Sequence, residues 1–479
     1  MNYPISGTIL LLLIGSMLSL CSSRQEEARP FHGITIHLDP TMEQYRVDPL
    51  VFGVGLMYWK ESDAAMADGR IEKALEQLPA NLLRFPGGTD SDGYLWDEHR
   101  LYDDARWPFV DGEHTMDTDE FMGLCKRIGA TPIICCNTEL AFFESPQVAV
   151  DLAADWVRYC NVEKGYNVKY WEIGNEPYFH TRFTPDEYAD LYLQMAEAMK
   201  AVDPDIQIGA VGRWKAEYPG VKAMIDSSDW KEAQEVEYRY ETGQWELKDS
   251  LEAFRTIEDA PSWWRKVLEQ AGSKIDFMSF HWYYNLDQLR NMEQEIGELK
   301  SLSRQVTGRT LPLAVTEWNL HHYVQQFGME RAVAFAEAIG RMLDGGVEMA
   351  TMWPLRCAGD HNRKALLDNQ DTTRTANYYV MQQFARVAGM TRIESTANTD
   401  GVYHFACRDQ QGKIYALLIN PENDDQDVFL KAGDRDAFHV EVIAPAEASS
   451  EKSVKKEAFN SENAVICLPA HSMALAISK

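Results

Sequence analysis

Two glutamates stand at the ends of predicted β-strands, where a carboxylate could take part in chemistry. Glu176 follows the apolar run Val168–Gly174 within an Asn-Glu-Pro sequence, and Glu317 lies near the end of the apolar run Pro312–Trp318. Cleavage of a sugar acetal requires two carboxyl groups, one to protonate the leaving oxygen and one to stabilise or attack the anomeric carbon. We therefore predict that Glu176 is the acid/base and Glu317 the nucleophile of such a reaction.

The separation of the two carboxyl groups would decide the stereochemistry of that reaction. At about 5–5.5 Å the reaction retains configuration through a covalent glycosyl-enzyme. Two negative charges that close would also raise the pKa of one partner and keep it protonated as an acid. A single strand-terminal glutamate is often part of a structural ion pair, but two of them on separate strands form a specific signal for glycosidic cleavage.

The elements that position these glutamates alternate between short apolar runs and longer stretches of helical period, which is typical of βαβ units around a parallel sheet. Eight strands are predicted: Val51–Tyr58, Asn81–Phe85, Thr131–Asn137, Val168–Gly174, Gln207–Val211, Asp276–Tyr283, Pro312–Trp318 and Met349–Pro354. They predict an α/β fold, a (β/α)8 TIM barrel over residues 49–388. Because strand C-termini open onto the active face of a barrel, the glutamates on strands four and seven should face one another.

Two of the intervening helices have clear boundaries. Thr184 and Glu187 form a capping box with Pro185 at the first helical position, which predicts a helix start. The second helix runs from about Met329 to the Gly345-Gly346 pair, which is a suitable C-terminal stop.

Two segments lie outside the barrel. Residues 33–48 predict one or two strands, and residues 389–479 predict a β-sandwich with strands at Gly401–Cys407, Lys413–Leu418, Ala437–Val442 and Met473–Ile477. We expect this additional all-β sandwich domain to recruit the N-terminal strands. The charged, tryptophan-containing stretch Trp214–Trp264 follows the fifth strand. It either walls the cleft or forms a surface helical hairpin without substrate contact.

From roughly Val47 to Pro354 the chain resembles clan A glycoside hydrolases, which carry the acid/base after strand four and the nucleophile after strand seven. Within that clan it is most similar to the α-L-arabinofuranosidase family, whose second domain is also similar to the C-terminal sandwich. The resemblance rests on the Asn-Glu-Pro and Thr-Glu-Trp-Asn sequences, the Arg-Phe-Pro-Gly-Gly sequence and the His-Trp-Tyr sequence. It implies that Arg84 supports the nucleophile, that Tyr283 hydrogen-bonds it, and that His281 lies near the acid/base.

Three positions depart from the arabinofuranosidase pattern. The family places a Glu after strand one, an Asn after the Gly-Gly pair and an Asp before the nucleophile, whereas this chain has Met57 or Tyr58, Thr89 and Thr316. The catalytic groups are therefore kept while the sugar-holding residues differ. The substrate stays open between an arabinofuranoside, a pyranoside and an internal bond of a glycan.

Other side chains are candidates for contact with the substrate or the catalytic pair. Asn175 could hydrogen-bond a sugar hydroxyl, Asn137 could contact sugar or cap the next helix, and Trp353 could form a stacking platform or pack in the core. Arg84 has the alternative role of a structural cation, and Glu172 is either a buried structural carboxylate or points outward. Candidates for a cleft wall or for selecting a carboxylate or sulfate are Trp59, Trp96, Trp318, Asp360, His361 and Arg363.

The composition is strongly acidic, with 74 Asp and Glu against 46 Lys and Arg and a formal net charge of -28. Such a surface argues against nucleic acid as a partner, since binding its backbone needs a basic face. No metal and no cofactor are predicted, because the sequence has no CxxC pair and no HExxH motif. Four cysteines in apolar patterns are expected to be buried: Cys125, Cys135, Cys136 and Cys160.

Residues 1–20 predict a signal peptide. The apolar run Ile9–Leu20 is too short to span a bilayer and suits a signal sequence. It ends in a Leu-Ser-Leu-Cys sequence that resembles a bacterial lipobox, so Cys21 is predicted to carry a lipid and residues 21–32 to form a tether. A plain signal peptide with a chance cysteine is the alternative. We expect export and anchoring to the bacterial outer membrane, on its periplasmic or cell-surface side, with the lipid as the chain's contact with the membrane.

Together these features predict a retaining glycoside hydrolase, arabinofuranosidase-like, that acts on plant or algal polysaccharide by double displacement. An endo-acting β-glycanase or another pyranosidase of the same clan is an open alternative, as is a transglycosylase that uses the same residues. An alternative from another class is a non-catalytic surface lipoprotein that binds glycans without turnover.

Overall fold

Eight parallel strands close into a barrel in the computed structural model of this chain, which describes residues 33–102, 114–178, 183–213, 235–239, 244–248, 260–321, 324, 326–447 and 452–479. In chain order the strands are β1 (Ile34–Arg46), β2 (Gly53–Gly55), β3 (Leu82–Phe85), β4 (Tyr94–Leu95), β5 (Arg100–Leu101), β6 (Thr131–Cys136), β7 (Tyr170–Ile173), β8 (Gln207–Arg213), β9 (Glu235–Arg239), β10 (Gln244–Lys248), β11 (Phe277–Tyr284), β12 (Leu313–Leu320), β13 (Met349–Met352), β14 (Thr391–Ala397), β15 (Tyr403–Arg408), β16 (Ile414–Asn420), β17 (Gln426–Lys431), β18 (Phe438–Pro445), β19 (Val454–Ser461), β20 (Val465–Leu468) and β21 (Ser472–Ser478).

The barrel confirms the predicted fold. Its strands pair in the order β2, β3, β6, β7, β8, β11, β12 and β13, and β13 pairs with β2 to close the ring. Each of these strands overlaps one of the eight predicted runs, and β8, β11 and β12 extend one or two residues beyond theirs. Near-continuous apolar runs indicate strands that are covered on both faces, and β12 is buried at every position.

Helices cover the outside of the barrel. Those in the described part of the chain are α1 (Asp63–Met66), α2 (Arg70–Gln77), α3 (Thr118–Ile128), α4 (Glu139–Phe143), α5 (Pro146–Val157), α6 (Pro185–Val202), α7 (Ala260–Ala271), α8 (Met292–Thr307), α9 (Gly328–Asp344) and α10 (Ala376–Phe384). The predicted start of α6 is confirmed, because the Thr184 side chain accepts from Glu187 N and the Glu187 carboxylate accepts from Thr184 N. Helix α9 ends at Gly345, as its C-terminal glycine pair predicts.

A nine-stranded sheet lies beside the barrel, in the order β19-β18-β21-β16-β15-β14-β1-β17-β20. The N-terminal strand β1 joins it, antiparallel to β14 and parallel to β17, as expected. One hydrophobic core contains side chains from both halves of the sheet, among them Val428 of β17 and Val440 of β18. The sheet therefore forms a sandwich-like domain. Four of its strands, β14, β17, β19 and β20, were not predicted. Of these, β20 has only 4 residues and β19 is exposed along most of its length.

The sheet packs against the barrel through an acidic helix end. Asp344, the last residue of α9, accepts hydrogen bonds from Tyr45 Oη at 2.6 Å and Arg392 Nε at 3.0 Å. A Cβ at Gly340 would lie 2.4 Å from Tyr403 Oη, so the glycine permits close approach of β15 to the helix. These contacts tie the second sheet to the outside of the barrel, away from the strand C-termini.

Part of the predicted insertion after β8 is described. Strands β9 and β10 form an antiparallel hairpin, so the alternative of a surface helical hairpin is wrong for these residues. Trp263 and Trp264 are completely buried in α7, and a Cβ at Gly212 would lie 2.6 Å from both rings. Because they pack against the barrel, they are not cleft walls. Residues 214–234, 240–243 and 249–259 lie outside the described residues.

The predicted leader and tether, residues 1–32 with Cys21, also lie outside the described residues. Among the residues that are described, no helix is both long and apolar enough to cross a membrane. The four cysteines expected in the interior, Cys125, Cys135, Cys136 and Cys160, are all buried.

Candidate active site

The two predicted catalytic glutamates meet at the mouth of the barrel. Glu176 lies three residues beyond β7, and Glu317 lies in β12 near its C-terminal end. His281 Nδ1 is 3.0 Å from Glu176 Oε1 and 4.0 Å from Glu317 Oε2. The two oxygens can be no farther apart than the sum of these distances. The carboxylate side chains are 15% and 9% exposed, so both remain within reach of a ligand from the mouth.

Arg84 of β3 contacts both Glu317, the nucleophile candidate, and the buried carboxylate of Glu172. Its Nε donates to Glu172 Oε2 at 2.8 Å, its Nη2 donates to Asn175 Oδ1 at 2.8 Å, and its Nη1 lies 3.5 Å from Glu317 Oε2. Burial opposes the charged form of this side chain, but the Glu172 and Glu317 carboxylates outweigh it and raise the pKa of Arg84. Arg84 is thus both a structural cation and a partner of Glu317.

Glu172 is the structural carboxylate of the site and does not point outward. It is completely buried. Thr316 Oγ1 donates to its Oε1 at 2.5 Å, and Ser279 Oγ donates to the same oxygen. Thr316, which stands where the arabinofuranosidase pattern has Asp, therefore helps to fix the carboxylate of Glu172. The carboxylate of Glu172 binds Arg84 and holds the guanidinium in place beneath Glu317.

Adjacent strands set the surroundings of Glu317. His281 pairs directly with Glu317 across β11 and β12, and Tyr283 lies two residues farther along β11. Tyr283 Oη donates to Glu317 Oε1, as the resemblance implied. Burial would lower the pKa of His281, but the charge of Glu317 and the hydrogen bond with Glu176 outweigh it and raise the pKa above the usual value. His281 therefore favours its protonated form between the two carboxylates.

Asp92 supports the backbone that carries Glu176 and was not predicted. It is completely buried, and its carboxylate accepts from Asn175 N at 2.8 Å, Glu176 N at 3.2 Å and Thr138 Oγ1 at 2.8 Å. Gly174 precedes this turn with φ +77°, and a Cβ there would lie 2.9 Å from Thr138 Cγ2. Glycine is therefore required between β7 and the Asn-Glu pair. An acidic residue shortly after the Gly-Gly pair was the available sequence signal.

The Gly-Gly pair itself makes a close backbone crossing. Gly87 has φ +103°, and a Cβ there would lie 1.5 Å from Leu56 O, so no other residue fits. Gly87 N donates to Ser91 Oγ at 3.0 Å, which closes the turn that leads to Asp92. The turn at these glycines thus positions Asp92, which follows it, in addition to Arg84, which precedes it.

The two predicted asparagines serve the protein's own structure. Asn137 Oδ1 accepts from Leu140 N at 3.1 Å, and its Nδ2 donates to Tyr94 O at 3.2 Å. Asn137 thus accepts from a backbone N–H in the first turn of α4, whose N-cap residue is Thr138, and its contact with sugar stays a prediction. Asn175 turns its Oδ1 to Arg84. Its expected hydrogen bond to a sugar hydroxyl would have to come from the Nδ2 side of the amide.

The aromatic candidates differ in their positions. Trp353 is half-buried at the end of β13, beside Gly55 and Gly88, with its ring at the mouth. Trp59 is also half-buried, and its Nε1 donates to Asp90 Oδ2 at 2.7 Å. Trp318 is completely buried and stacks on the Phe335 ring at 4.7 Å, so its prediction as a cleft wall was wrong.

Trp96 also packs inward. Its ring stacks on Trp156 at 6.0 Å, and its Nε1 donates to Leu152 O at 3.0 Å, which places it against the barrel helices. Of the charged candidates after β13, Arg363 lies over the Phe327 ring at 4.9 Å. The side chains of Asp360 and His361 lie outside the described residues.

Lys364 is a further residue of the site that sequence analysis missed. It is 2% exposed, and its Nζ lies 4.6 Å from the centroid of the Tyr283 ring and 5.6 Å from that of Trp353. Burial and the charge of Arg331 lower its pKa to about 7, and the charge of Glu317 acts in the opposite direction. A lysine one residue beyond Arg363 carries no pattern that would set it apart in a sequence.

The arrangement can carry out acid–base and nucleophilic chemistry on one atom between two carboxylates. Glu176 is positioned by Asp92 and His281, and Glu317 by Arg84 and Tyr283. The two distances from His281 set an upper limit on the separation of Glu176 Oε1 and Glu317 Oε2. Separations below that limit include the spacing of about 5–5.5 Å found in retaining glycosidases and only the lower end of the inverting range, about 6.5–9.5 Å.

Two sequence-family models match the chain. One, described as the alpha-L-arabinofuranosidase 1 domain, matches residues 74–248, and the other, described as the glycosyl hydrolase catalytic core, matches residues 233–379. The first contains Arg84 and Glu176, and the second contains His281, Tyr283 and Glu317. The catalytic candidates are therefore divided between two matched segments.

Curated relatives carry arabinofuranosidase names. A probable alpha-L-arabinofuranosidase C of Aspergillus fumigatus is 30% identical over 166 residues, which is 29% of this chain and 31% of the relative. The intracellular exo-alpha-(1->5)-L-arabinofuranosidase 1 of Bacillus subtilis is 24% identical over 296 residues, 53% of this chain and 49% of the relative. The chain thus spans about a third to a half of the length of these relatives.

The fold similarity is more extensive. The crystal structure of alpha-L-arabinofuranosidase from Thermotoga maritima in an arabinose complex has a TM-score of 0.72 with 18% identity, and the match covers 93% of this chain and 100% of that one. The barrel and the second sheet therefore follow a shared architecture. In sequence and fold the chain is similar to α-L-arabinofuranosidases.

Proposed function

We propose that this chain, which is similar to α-L-arabinofuranosidases in sequence and fold, is a retaining glycoside hydrolase that cleaves O-glycosidic bonds of plant or algal polysaccharide. The observation that carries the proposal is the position of His281, 3.0 Å from Glu176 and 4.0 Å from Glu317. That contact brings the carboxylates of two non-adjacent strands to one reaction centre.

In the first step, protonated Glu176 gives its proton to the glycosidic oxygen as the bond from that oxygen to the anomeric carbon breaks. Glu317 attacks the same carbon and forms a glycosyl-enzyme ester. In the second step, the Glu176 carboxylate takes a proton from water, the water oxygen bonds to the anomeric carbon, and the ester to Glu317 breaks. Two inversions leave the configuration retained.

The neighbours of Glu317 suit a nucleophile that is also a leaving group. Arg84 and Tyr283 face its two oxygens and stabilise the carboxylate that re-forms in the second step. Because Arg84 makes its closest ionic contact with Glu172 at 2.8 Å, the guanidinium only partly neutralises Glu317 and leaves it nucleophilic. His281 beside Glu176 is placed to follow the changes in that group's protonation between steps.

An α-L-arabinofuranoside is the substrate that the relatives' names support. The alternative of a pyranoside, or of endo-action by a β-glycanase of the same clan, is favoured by Thr316, whose hydroxyl binds Glu172 where the arabinofuranosidase pattern has Asp. The sugar-holding residues therefore differ from that pattern in their contacts as well as in their identity.

The experiment is release of reducing sugar from a panel of arabinans, xylans, β-glucans and acidic algal and pectic polysaccharides, with the product anomer followed by NMR. We expect turnover with the substrate's anomeric configuration in the first-formed product. The control variants are Glu317→Ala, which should lose activity, and Glu197→Gln, an exposed carboxylate of α6 that should keep it. Binding without turnover would identify a glycan-binding lipoprotein, inverted product would exclude the retaining mechanism, and transfer to added sugar in place of water would identify a transglycosylase.

We also propose that the chain is exported and anchored by a lipid on Cys21 to the bacterial outer membrane. The Leu-Ser-Leu-Cys sequence after a short apolar run supports this proposal. In cells, Cys21→Ala should move the protein from the membrane fraction to the soluble fraction and abolish incorporation of labelled fatty acid. Unchanged membrane retention without the cysteine would contradict it.

A further inference from the structure

Lys364 is a buried lysine whose place in the site the reaction chemistry leaves unexplained. It ends the short 3-10 helix Gly359–Lys364 that follows β13. Its carbonyl accepts hydrogen bonds from Asn319 Nδ2 at 3.0 Å and Asn377 Nδ2 at 3.2 Å. Asn319 lies two residues beyond Glu317 in β12, so this hydrogen bond fixes the backbone of Lys364 relative to the strand that carries the nucleophile.

The side-chain nitrogen of Lys364 faces aromatic rings. Nζ lies over the rings of Tyr283 at 4.6 Å and Trp353 at 5.6 Å. Among the described residues, no carboxylate, hydroxyl or carbonyl accepts a hydrogen bond from Nζ. The charged and titratable groups that influence it are Glu317, Arg331 and Cys357. Lys364 thus lies beside Glu317, in contact with the Tyr283 and Trp353 rings.

Structural needs account poorly for a cation in this position. Contact with an aromatic face stabilises an ammonium group by about 2 kcal/mol when it is desolvated. Burying an ion without a partner costs several kcal/mol. A Met or Leu side chain would fill the space against the same two rings without that cost. The charge is therefore better explained by a ligand group that accepts its hydrogen bonds.

The charges around Glu317 indicate what that ligand group is. Arg84 binds Glu172 at 2.8 Å and is committed beneath the site. A sugar with a negatively charged substituent would be repelled by Glu317 unless a second positively charged group met that substituent. Lys364 can supply that group, because its Nζ lies over Tyr283, whose hydroxyl binds Glu317, and donates no hydrogen bond to any of the described residues.

We propose that Lys364 donates hydrogen bonds to an anionic oxygen group, a carboxylate or a sulfate, on the sugar whose anomeric carbon reacts with Glu317. This inference rests on the proposed glycoside hydrolase function and narrows its substrate class to acidic glycans. Lys364 is then a specificity-determining residue that contacts substrate and takes no part in proton transfer or nucleophilic attack.

The test compares kcat and KM on matched oligosaccharides that carry a uronic carboxylate, a sulfate or neither. We expect the wild type to prefer one of the two acidic sets. Lys364→Met should raise KM for that set by about 10- to 100-fold, the range for loss of a charge-assisted hydrogen bond, with kcat less affected. Activity on neutral substrates should change less than about threefold. Lys364→Arg should restore part of the affinity for the acidic set.

Lys456→Met is the matched control, since it removes a lysine of the second sheet whose Nζ lies over the Tyr379 ring at 3.4 Å, away from the strand C-termini of the barrel. It should leave the ratio of acidic to neutral activity unchanged. An equal effect of Lys456→Met, or an equal loss on neutral and acidic substrates for Lys364→Met, would overturn the proposal. So would wild-type preference for neutral substrates, a result that does not depend on the folding of any variant. Failure of the hydrolase proposal is separate, because it would appear as no turnover of any set and no covalent labelling of Glu317.

Discussion

Arg84 Nε and Glu172 Oε2 lie 2.8 Å apart, and both side chains are completely buried beneath the mouth of the barrel. The pair joins β3 to β7, which are separated by β6 in the barrel. The same guanidinium reaches Glu317 Oε2 at 3.5 Å. A contact that stabilises the barrel interior therefore also orients the group next to the nucleophile, and the two roles can be separated by mutation.

Arg84→Met should reduce both stability and activity. Removing one partner of a buried ion pair leaves Glu172 uncompensated and should cost about 3–5 kcal/mol of unfolding free energy. The double variant Arg84→Met with Glu172→Gln should regain a large part of that stability, because no unpaired charge is left. Its kcat should stay about 100-fold or more below wild type, because Glu317 still lacks Arg84. Urea unfolding and steady-state kinetics on the three proteins provide the measurement. Activity recovery in step with stability would show that Arg84 has only a structural role.

Glu176→Gln should lose activity according to the leaving group. Hydrolysis of a natural glycoside needs protonation of its oxygen, so kcat should fall by about 10²–10⁴-fold. Aryl glycosides with acidic phenols need little protonation, and their glycosyl-enzyme should form at close to the wild-type rate. The rate of phenol release in the first turnover, measured across phenols of different pKa, checks this expectation. A uniform loss across the series would argue against Glu176 as the acid.

Asp92→Asn should weaken the placement of Glu176 while the fold is kept. Asp92 accepts from the backbone N–H groups of Asn175 and Glu176, and an amide would present one acceptor oxygen and one mismatched donor. We expect kcat to fall by about 10- to 100-fold, with a smaller loss on activated aryl glycosides than on natural ones. Thr138→Val, which removes another hydrogen bond to Asp92, is a milder comparison. Equal loss on both substrate classes would contradict a role through Glu176.

His281 should make stability depend on pH in a specific direction. Its pKa in the fold is raised above the ordinary value of about 6.5, because Glu317 and Glu176 outweigh burial. Its protonation therefore stabilises the fold fully below about pH 6.5, and this contribution is lost as pH rises through the raised folded pKa. The difference in unfolding free energy between wild type and His281→Gln should shrink as pH increases from about 5.5 to 8.5.

His404 gives the matched control for this measurement, since burial and the charge of Arg392 lower its pKa to about 4. In the unfolded chain His404 takes up a proton near pH 6.5, whereas in the folded chain it stays neutral until about pH 4. The free energy of unfolding therefore decreases as pH falls from about 6.5 to about 4, by about 3 kcal/mol in total. His404→Gln should remove this acid sensitivity. The same pH trend for both histidine variants would contradict the assigned directions.

The site residues that could be predicted from the sequence are those at the C-terminal ends of predicted strands. Glu176 and Glu317 stand at the ends of apolar runs, and strand C-termini in a barrel share one face, so topology alone brings them together. The role of Arg84 was implied by the resemblance to the arabinofuranosidase family, and Gly87 fits the turn after β3 because a positive φ leaves few choices of residue. The barrel could be predicted because its strands are buried on both faces, so their apolar runs differ clearly from the helical periodicity of the segments between them.

The residues that were missed depend on loops. Asp92 and Lys364 follow strands β3 and β13 by seven or more residues, and their position is set by turns that no periodic pattern records. Asn137 lies one residue beyond the end of β6 at Cys136, and its hydrogen bond with Leu140 N depends on the turn that leads into α4. In the second sheet, β19 has exposed residues on both faces and therefore no alternation from which to predict a strand.

The nucleophile can be identified directly by trapping the glycosyl-enzyme with a 2-fluoro glycoside of the sugar that the panel selects, followed by peptide mass spectrometry. We predict a single 2-fluoroglycosyl group on Glu317, formed at a lower rate in Arg84→Met and absent in Glu317→Ala. Attachment to any other residue, or inactivation without a covalent adduct, would contradict double displacement through Glu317.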